Sequence, residues 1–245
     1  MKNLIQTTKK WGVGLLDFLF PPLCPLCSLA APHPHQLCEP CQKALPAPPE
    51  NYCLRCGVET PRPELGCGSC LPWVGRPDRI YFPFVYQGGI AKLLIGFKFS
   101  DRSEWSTLLV ELCWLRLEAE LRWEEPELIL PIPLHPRRLI ARRYNQSALL
   151  AAGVAKKLNR PLVTNGLKRI KITLPQTRLS AQRRRENVQG AFWACRGRLA
   201  GRSVLLIDDV FTTGATMASA VAALRRAGVR RVALLCFART PIIHD

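Results

Sequence analysis

The sequence lacks any long uninterrupted apolar segment. No apolar run approaches the roughly 18 residues that a membrane-spanning helix requires, so no such helix is predicted. No small-residue cleavage site precedes Pro21 and Pro22, which argues against a secretory signal peptide. These two absences predict a cytoplasmic protein.

Acidic residues are also scarce. The 245 residues include 18 aspartates and glutamates against 35 lysines and arginines, which gives a formal net charge of +17. This excess of positive charge predicts anionic partners, namely phosphates, nucleic acid or acidic lipid. The apolar content of 48% favours a packed globule, and the length suffices for a domain of about 150 residues and a smaller unit.

Residues 1–20 begin basic and become apolar, which predicts an amphipathic helix. Its apolar face carries Leu4, Trp11, Leu15 and Phe18. One interpretation packs this helix on the body of the protein. The other lays it on the inner face of the membrane, where three lysines would meet lipid headgroups: Lys2, Lys9 and Lys10.

Eight of the eleven cysteines form four C-x-x-C pairs between residues 24 and 70, and both halves have ten residues between their pairs. A C-x-x-C turn places two thiolates on one side of a tight loop, and two such turns complete a tetrahedral zinc site. Residues 21–75 therefore predict a double zinc ribbon, in which metal supplies much of the folding energy. The predicted ligand sets are Cys24, Cys27, Cys38 and Cys41, then Cys53, Cys56, Cys67 and Cys70. Interleaved pairing between the halves and occupancy of a single site stay open.

The stretch 204–216, Val-Leu-Leu-Ile-Asp-Asp-Val-Phe-Thr-Thr-Gly-Ala-Thr, runs from an apolar strand through two aspartates into the start of a helix. In an α/β fold such a junction presents a ligand at the carboxyl end of the strand. The backbone N–H groups and threonine hydroxyls of residues 212–216 suit a phosphate. The carboxylates of Asp208 and Asp209 suit sugar hydroxyls, or a divalent cation that bridges to further phosphate. A phosphorylated ribose would satisfy both halves of this site.

Two basic stretches accompany this junction. Residues 128–131 predict a buried strand, and four arginines follow it at the same edge of a parallel sheet, where they suit a pyrophosphate: Arg137, Arg138, Arg142 and Arg143. Residues 168–192 are basic and have little core pattern. They predict either a mobile lid over the phosphates or a charged surface helix at 180–188.

Hydrophobic periodicity predicts an α/β domain over residues 80–245, with a mainly parallel sheet flanked by helices. Strands are predicted at 80–86, weakened by a proline, and at 128–131, 162–164, 204–207 and 232–237. Helices are predicted at 90–97, 104–122, 146–158 and 215–227. The apolar face of the second helix is assigned to positions 108, 112, 115 and 119.

Three features together resemble the ComF family, over a span from about Leu15 to Arg239. The first is the paired cysteine ribbons, and the second is Pro-Ile-Pro-Leu-His-Pro-x-Arg leading to Arg-x-Tyr-Asn-Gln within 131–146. The third is the 204–216 junction after Gln-x-x-Leu-x-x-x-x-Arg-x-x-Asn-Val-x-Gly-Ala-Phe. The junction itself resembles the 5-phosphoribosyl-1-pyrophosphate (PRPP) loop of type I phosphoribosyltransferases.

The resemblance implies a type I phosphoribosyltransferase-like domain preceded by a small zinc-ribbon unit, and a site for PRPP with magnesium. Asp208 and Asp209 would hold the ribose hydroxyls, and Arg184 and Asn187 match the lid pattern. The 5-phosphate would be held by Thr212, Thr213, Gly214, Ala215 and Thr216. Pyrophosphate contacts fall to the four arginines at 137–143.

The resemblance also implies a role in natural transformation, in which single-stranded DNA enters the bacterial cytoplasm. The implied partners are PRPP, single-stranded DNA and other DNA-uptake proteins, such as a ComF-associated helicase.

Two kinds of function stay open beside this role. As a phosphoribosyltransferase of nucleotide metabolism, the protein would use Asp208, Asp209 and Arg184 in catalysis while pyrophosphate leaves C1 of the ribose. The short tail after Phe237 offers little hood for a nucleobase, so no acceptor is predicted. As a binding protein, it would sense PRPP or a nucleotide, or hold a DNA phosphate. Three aromatic side chains are candidates for stacking on bases: Trp73, Tyr144 and Trp193.

Overall fold

The computed structural model describes residues 21–65, 67–68, 70, 75–100, 102–171 and 189–241. The chain divides into two compact units, Met1–Leu45 and Pro46–Asp245. Three expectations lie outside the described residues: the helix at 1–20, the stacking candidate Trp73, and the lid positions Arg184 and Asn187. Among the helices that the structure describes, none has the length and apolar character needed to cross a membrane.

The smaller unit is a short turn-and-helix ribbon. Its first C-x-x-C pair lies in a turn that the N–H of Ser28 closes by donating to the carbonyl of Cys24 at 2.9 Å. An antiparallel bridge between Leu23 and Ala30 flanks this turn. The second pair lies at the start of helix α1, Glu39–Lys43. Both cysteine pairs therefore lie on backbone turns that hydrogen bonds hold.

The larger unit alternates strands and helices. Its helices in chain order are α2 (Gly88–Phe99), α3 (Trp105–Glu124), α4 (Pro136–Arg142), α5 (Gln146–Leu158), α6 (Arg196–Leu199) and α7 (Ala215–Arg226). Its strands are β1 (Arg79–Tyr81), β2 (Leu128–Pro131), β3 (Leu167–Arg169), β4 (Phe192–Ala194), β5 (Ser203–Phe211) and β6 (Arg231–Arg239).

Four strands form one parallel sheet in the order β1-β6-β5-β2, and β3 and β4 form a separate antiparallel pair. The two central strands are apolar almost throughout, since elements cover both faces of a parallel sheet. In the register of β2 with β5, Pro131 lies opposite Ile207, so the segments after both strands emerge at the same edge. The predicted α/β class with a parallel sheet is confirmed.

Two of the predicted helices are confirmed almost to the residue, because their ends carry recognisable caps. The side-chain carbonyl of Asn145 accepts a hydrogen bond from the N–H of Ser147 at 3.1 Å, and α5 begins at Gln146. Helix α7 ends at Arg226, two residues before Gly228, whose φ is +83°.

Two expectations about the packing of the chain are wrong. The segment predicted as a strand at 162–164 makes only an isolated parallel bridge between Leu162 and Ile129, because the chain turns from Thr164 onward. The predicted apolar face of α3 is wrong in its second half, because Leu115 is 68% exposed and Ala119 is exposed, whereas Leu108 and Leu112 are buried as predicted. The helix buries a neighbouring stripe, which includes Leu109, Cys113, Leu117 and Leu121.

The second C-x-x-C ribbon belongs to the larger unit and is tied to the sheet. The N–H of Ile80 in β1 donates to the carbonyl of Leu54 at 2.6 Å. The ring of Tyr52 lies 4.6 Å from that of Phe82, centroid to centroid. This ribbon therefore shares a folded unit with the parallel sheet.

Candidate functional site

The two aspartates lie within β5, which continues through them to Phe211. Successive side chains of a strand point to opposite faces, so the two carboxylates meet different neighbours. The hydroxyl of Ser147, at the start of α5, donates to a carboxylate oxygen of Asp208 at 2.9 Å. The ammonium group of Lys98, near the end of α2, lies 2.9 Å from a carboxylate oxygen of Asp209. Two helices thus bring one polar group each to the acidic pair.

The negative charges of the acidic pair are only partly compensated by the groups around them. The pKa of Asp208 is raised to about 7, chiefly by burial and also by the adjacent charge of Asp209, whereas Lys98 and Ser147 oppose the rise. Burial acts to lower the pKa of Lys98, but the charge and hydrogen bond of Asp209 outweigh it, so that pKa is raised. Near neutral pH, Asp208 is therefore close to half protonated while Lys98 keeps its charge.

The loop after β5 turns sharply into α7. Gly214 has a φ of +74°, a left-handed conformation that glycine adopts without strain, and α7 begins at the next residue. The hydroxyl of Thr213 is buried and has no hydrogen-bond partner among the described residues. The amide nitrogen of Gln146, in a side chain that is 1% exposed, also has none there. Buried donors in proteins are nearly always satisfied, so these two groups are available to a polar ligand. They are not alone, because the buried Nη1 of Arg76 and Nε of Arg79 also lack a partner among the described residues.

Positive charge gathers beside Asp208. Arg169, the last residue of β3, is 8% exposed. Burial lowers its pKa to about 10, the charge of Arg138 acts in the same direction, and Asp208 opposes both. Arg138 and Arg169 therefore share one electrostatic environment with the acidic pair.

The other predicted arginines lie on or next to α4. Arg142 donates to the side-chain carbonyl of Gln146 at 3.4 Å, and its guanidinium lies 5.2 Å from the ring centroid of Phe99. Arg137 and Arg143 are exposed or half-buried, and Arg143 ends the helix with a φ of +63°. The structure thus brings Arg138 and Arg142 into the surroundings of the acidic pair, and it shows no contact of Arg137 with that pair.

Three residues of this site were not predicted as site residues: Lys98, Ser147 and Arg169. Each reaches the acidic pair from a different element, and no spacing within the sequence relates them to it. One signal was present, because Lys98 is a charged residue inside the apolar run Ile-Gly-Phe-Lys-Phe. Such a residue in an apolar run needs a partner, and Asp209 provides it.

The ribbon cysteines gather in two sets that do not interleave: Cys24, Cys27, Cys38 and Cys41, and Cys53, Cys56, Cys67 and Cys70. Within each set the sulfur atoms lie within 4.8 Å of one another, and all are free thiols. The separation is 3.6 Å between Cys27 and Cys38 and 3.7 Å between Cys53 and Cys70. Four sulfurs at about 2.3 Å from a zinc ion would lie about 3.8 Å apart, so both sets fit zinc.

Sequence comparison agrees with this arrangement. Residues 15–71 match the family described as Double zinc ribbon domain, and residues 145–242 match the Phosphoribosyl transferase domain. Competence protein F of Haemophilus influenzae is 34% identical over 208 residues, which cover 83% of this chain and 90% of that protein. The chain belongs to the ComF family. DNA utilization protein YhgH of Escherichia coli O157:H7, another ComF relative, is 32% identical over 228 residues, which cover 90% of this chain and 98% of that protein.

Two solved structures are more distantly similar to this ComF chain. Glutamine PRPP amidotransferase from B. subtilis is 21% identical over 58% of this chain and 30% of that chain, with a TM-score of 0.37. The protein TT1426 from Thermus thermophilus is 16% identical over 53% of this chain and 84% of that chain, with a TM-score of 0.30.

Proposed function

We propose that the carboxyl edge of the sheet binds PRPP together with magnesium. The observation that carries this proposal is the pair of buried donors without an acceptor among the described residues, the hydroxyl of Thr213 and the amide of Gln146, beside the acidic pair. A ligand with phosphate and hydroxyl oxygens would satisfy both donors and the carboxylates at once. The match to the Phosphoribosyl transferase domain over residues 145–242 supports the same ligand.

Each part of the site suits a different part of PRPP. The loop of residues 212–216, at the start of α7, would hold the 5-phosphate through backbone N–H groups and hydroxyls. The carboxylates of Asp208 and Asp209 would accept hydrogen bonds from the ribose hydroxyls. Arg138 and Arg169 would face the pyrophosphate. Magnesium would bind the pyrophosphate and neutralise part of its charge.

Lys98 has a definite part in this scheme. Without ligand, its ammonium group neutralises Asp209 at 2.9 Å and lowers the pKa that Asp208 would otherwise have. With ligand, Lys98 would hold Asp209 charged and correctly placed to accept from a ribose hydroxyl. It is therefore a positioning residue for the acidic pair.

We further propose that this ComF protein handles single-stranded DNA. The names of its relatives, a competence protein and a DNA utilization protein, and the net charge of +17 support this partner. Trp193 is the best-placed stacking candidate, because it is 48% exposed and the ammonium of Lys168 lies 5.8 Å from its ring centroid. The hydroxyl of Tyr144 instead donates to the carbonyl of Phe97 at 2.5 Å, which holds that ring against the protein.

The two cysteine sets would each hold one structural zinc ion. Four thiolates leave no open coordination position, so these ions would stabilise the ribbons and take no part in reactions. Zinc content measured on the purified protein should reach two ions per chain.

The test of PRPP binding is calorimetric titration of PRPP with magnesium into the wild type and the Asp208→Asn/Asp209→Asn double variant. We expect one ligand per chain and a loss of affinity of about 100-fold or more in the variant, because two ribose contacts disappear. Asp78→Asn, an exposed aspartate at the other edge of the sheet, is the matched control and should bind normally. Unchanged affinity in a folded double variant would refute the site.

Pyrophosphate release, measured on the same protein, distinguishes turnover of PRPP from binding alone. Pyrophosphate release that requires an added acceptor would identify a phosphoribosyltransferase, whereas binding without release favours a sensor or a DNA-handling scaffold. Affinity for single-stranded DNA should fall steeply with salt, and Trp193→Ala should weaken it by about tenfold or more. An affinity for single-stranded DNA that changes neither with salt nor in Trp193→Ala would exclude this DNA contact.

A further inference from the structure

Arg239 joins the second cysteine set to the start of the phosphate loop. It is the last residue of β6 and is 7% exposed. In the register of the sheet it lies opposite Phe211, the last residue of β5. Phe211 directly precedes Thr212, so Arg239 is placed where the proposed phosphate loop leaves the sheet.

On one side, the Arg239 side chain is hydrogen-bonded to the first turn of the second ribbon. Its Nε donates to the carbonyl of Cys56 at 2.8 Å. Gly57, with a φ of +73°, makes room for the arginine, because a Cβ there would lie 2.6 Å from the Cδ of Arg239 and 2.6 Å from the ring of Phe82. The N–H of Gly57 in turn donates to the carbonyl of Cys53 at 2.7 Å, which closes the turn.

On the other side, Arg239 fixes Phe211. Its guanidinium lies 5.5 Å from the centroid of the Phe211 ring. Its terminal nitrogen donates to the carbonyl of Thr240 at 3.1 Å, and the N–H of Thr240 donates to the carbonyl of Phe211 at 2.9 Å. The side chain and backbone of Phe211 are thus both held through Arg239 and its neighbour.

The charge of Arg239 also suits the ribbon. A zinc ion with four thiolates carries a net charge of −2, and a buried guanidinium beside it supplies a compensating positive charge. The buried guanidinium of Arg239 therefore contacts both the ribbon and Phe211, the residue before the phosphate loop.

We propose that Arg239 is a positioning residue that couples the metal state of the second cysteine set to the order of the phosphate loop. With zinc bound, the turn of residues 53–57 would hold Arg239 in place, and Arg239 would hold Phe211 and the loop after it. Without zinc, the turn would loosen and the start of the loop would lose its support. The binding site would then depend on zinc although zinc lies outside it.

The test uses the zinc-loaded full chain without PRPP, so it remains valid even if the proposed PRPP site fails. Arg239→Lys keeps the charge and the aliphatic stem but removes the Nε donor and the planar fork. Arg226→Lys makes the same change at an exposed position in the last turn of α7 and is the control. Hydrogen exchange of residues 211–216 and zinc release to a chelator are measured on both variants and the wild type.

We expect Arg239→Lys to speed exchange of residues 211–216 by about tenfold and to release one of the two zinc ions about tenfold faster. The zinc of the first set is the internal reference and should leave at the wild-type rate. Arg226→Lys should change neither quantity. Wild-type exchange and wild-type zinc release in Arg239→Lys, or equal changes in both variants, would overturn the coupling.

A second measurement needs no variant and covers the case in which Arg239→Lys fails to fold. In the wild type, a ligand of the loop must raise the zinc affinity of the second set, because coupling between two sites is reciprocal in binding free energy. Inorganic phosphate and PRPP with magnesium are the probes, each at a concentration shown to bind. Binding that leaves the affinity for both zinc ions unchanged, measured by competition with a chelator, would contradict the proposal.

Discussion

The two edges of the parallel sheet differ in how completely their charges are matched. At the amino edge, Asp78, Glu124 and Glu127 each pair with arginine near the strand starts. At the carboxyl edge, two adjacent aspartates share one lysine. Buried donors without an acceptor among the described residues occur at both edges, at Thr213 and Gln146 and at the Nε of Arg79. The difference between the edges therefore lies in the pairing of their carboxylates, and it supports the proposal that the carboxyl edge binds a ligand.

The amino edge shows what a satisfied arrangement is. The carboxylate of Glu124, whose side chain is 1% exposed, accepts from the hydroxyl of Tyr81 at 2.6 Å and from Arg231 at 2.7 and 3.1 Å. Nearby, Glu127 accepts from Arg202, Arg230 and the N–H of Ser203. Asp78 pairs with Arg225 and accepts from the N–H of Val232 at 2.7 Å. No ligand is needed to explain any of these groups.

The largest effect on stability is expected at the amino edge. Glu124→Gln should lower the free energy of unfolding by about 3 kcal/mol, because a buried charged acceptor with three hydrogen bonds is lost. Urea denaturation measures this change. Glu118→Gln, on the same helix in an exposed pair with Arg122, is the control and should cost less than about 0.5 kcal/mol. If Glu124→Gln also weakened PRPP binding strongly, the two edges would not be separable.

At the carboxyl edge, replacing a carboxylate by an amide should stabilise the protein, whereas at the amino edge it should destabilise it. The pKa of Asp208 is raised by burial to about 7, so the native state holds a proton that the unfolded state has released between about pH 4 and 7. The charged Asp208 therefore destabilises the fold fully above pH 7, and the penalty disappears as the pH falls toward 4. Asp208→Asn should stabilise the protein by about 2 kcal/mol at pH 8 and change little at pH 4. A stability loss at pH 8 would show that the acidic pair supports the fold.

Binding should follow the same titration. In the proposed site, PRPP with magnesium would bind the carboxylate form of Asp208, so affinity should rise about tenfold from pH 6 to pH 8 and then level off. Lys98→Met should move this rise to higher pH, because it removes the cation that favours the charged pair. Lys92→Met, exposed on the same helix, is the control and should leave the profile unchanged. A flat profile in the wild type would remove Asp208 from the ligand contacts.

The smallest effect on stability is expected from a substitution in the exposed cluster around Glu127. Its hydrogen bonds from Arg202, Ser203 and Arg230 lower the pKa of Glu127 to about 2. The group thus contributes stability above its unfolded pKa near 4.3, and that contribution is lost as the pH falls through about 2. Glu127→Gln should show slightly lower stability than the wild type at pH 6, and the difference should vanish in acid. A difference that persists at pH 2 would require another cause.

Local signals were enough to predict the junction that organises the site. The apolar run into Asp208 and Asp209, then threonines and Gly214, predicted a strand, a loop and a helix, and β5 and α7 lie there. Helix α5 lies at its predicted bounds, and the structure shows that the side chain of Asn145 caps its first turn. Each of these signals lies within a few residues of the structure that it specifies.

Packing across the chain could not be predicted in this way. Lys98 and Ser147 reach the acidic pair from elements that are 111 and 61 residues away in the chain from their partners. Helix α3 has apolar residues on two adjoining stripes, so periodicity alone could not decide that Leu115 faces solvent. Likewise, no spacing rule places the turn of Cys56 against Arg239. Long-range contacts of this kind depend on how the elements pack.

The most direct test of the central claim is a crystal structure of the protein with PRPP and magnesium. We expect the 5-phosphate on residues 212–216 with the hydroxyl of Thr213 donating to it, and the ribose hydroxyls on Asp208 and Asp209. The amino edge should be unchanged, with Glu124 still bonded to Tyr81 and Arg231. Ligand bound elsewhere, with Thr213 still lacking an acceptor, would contradict the claim that the carboxyl edge is the site.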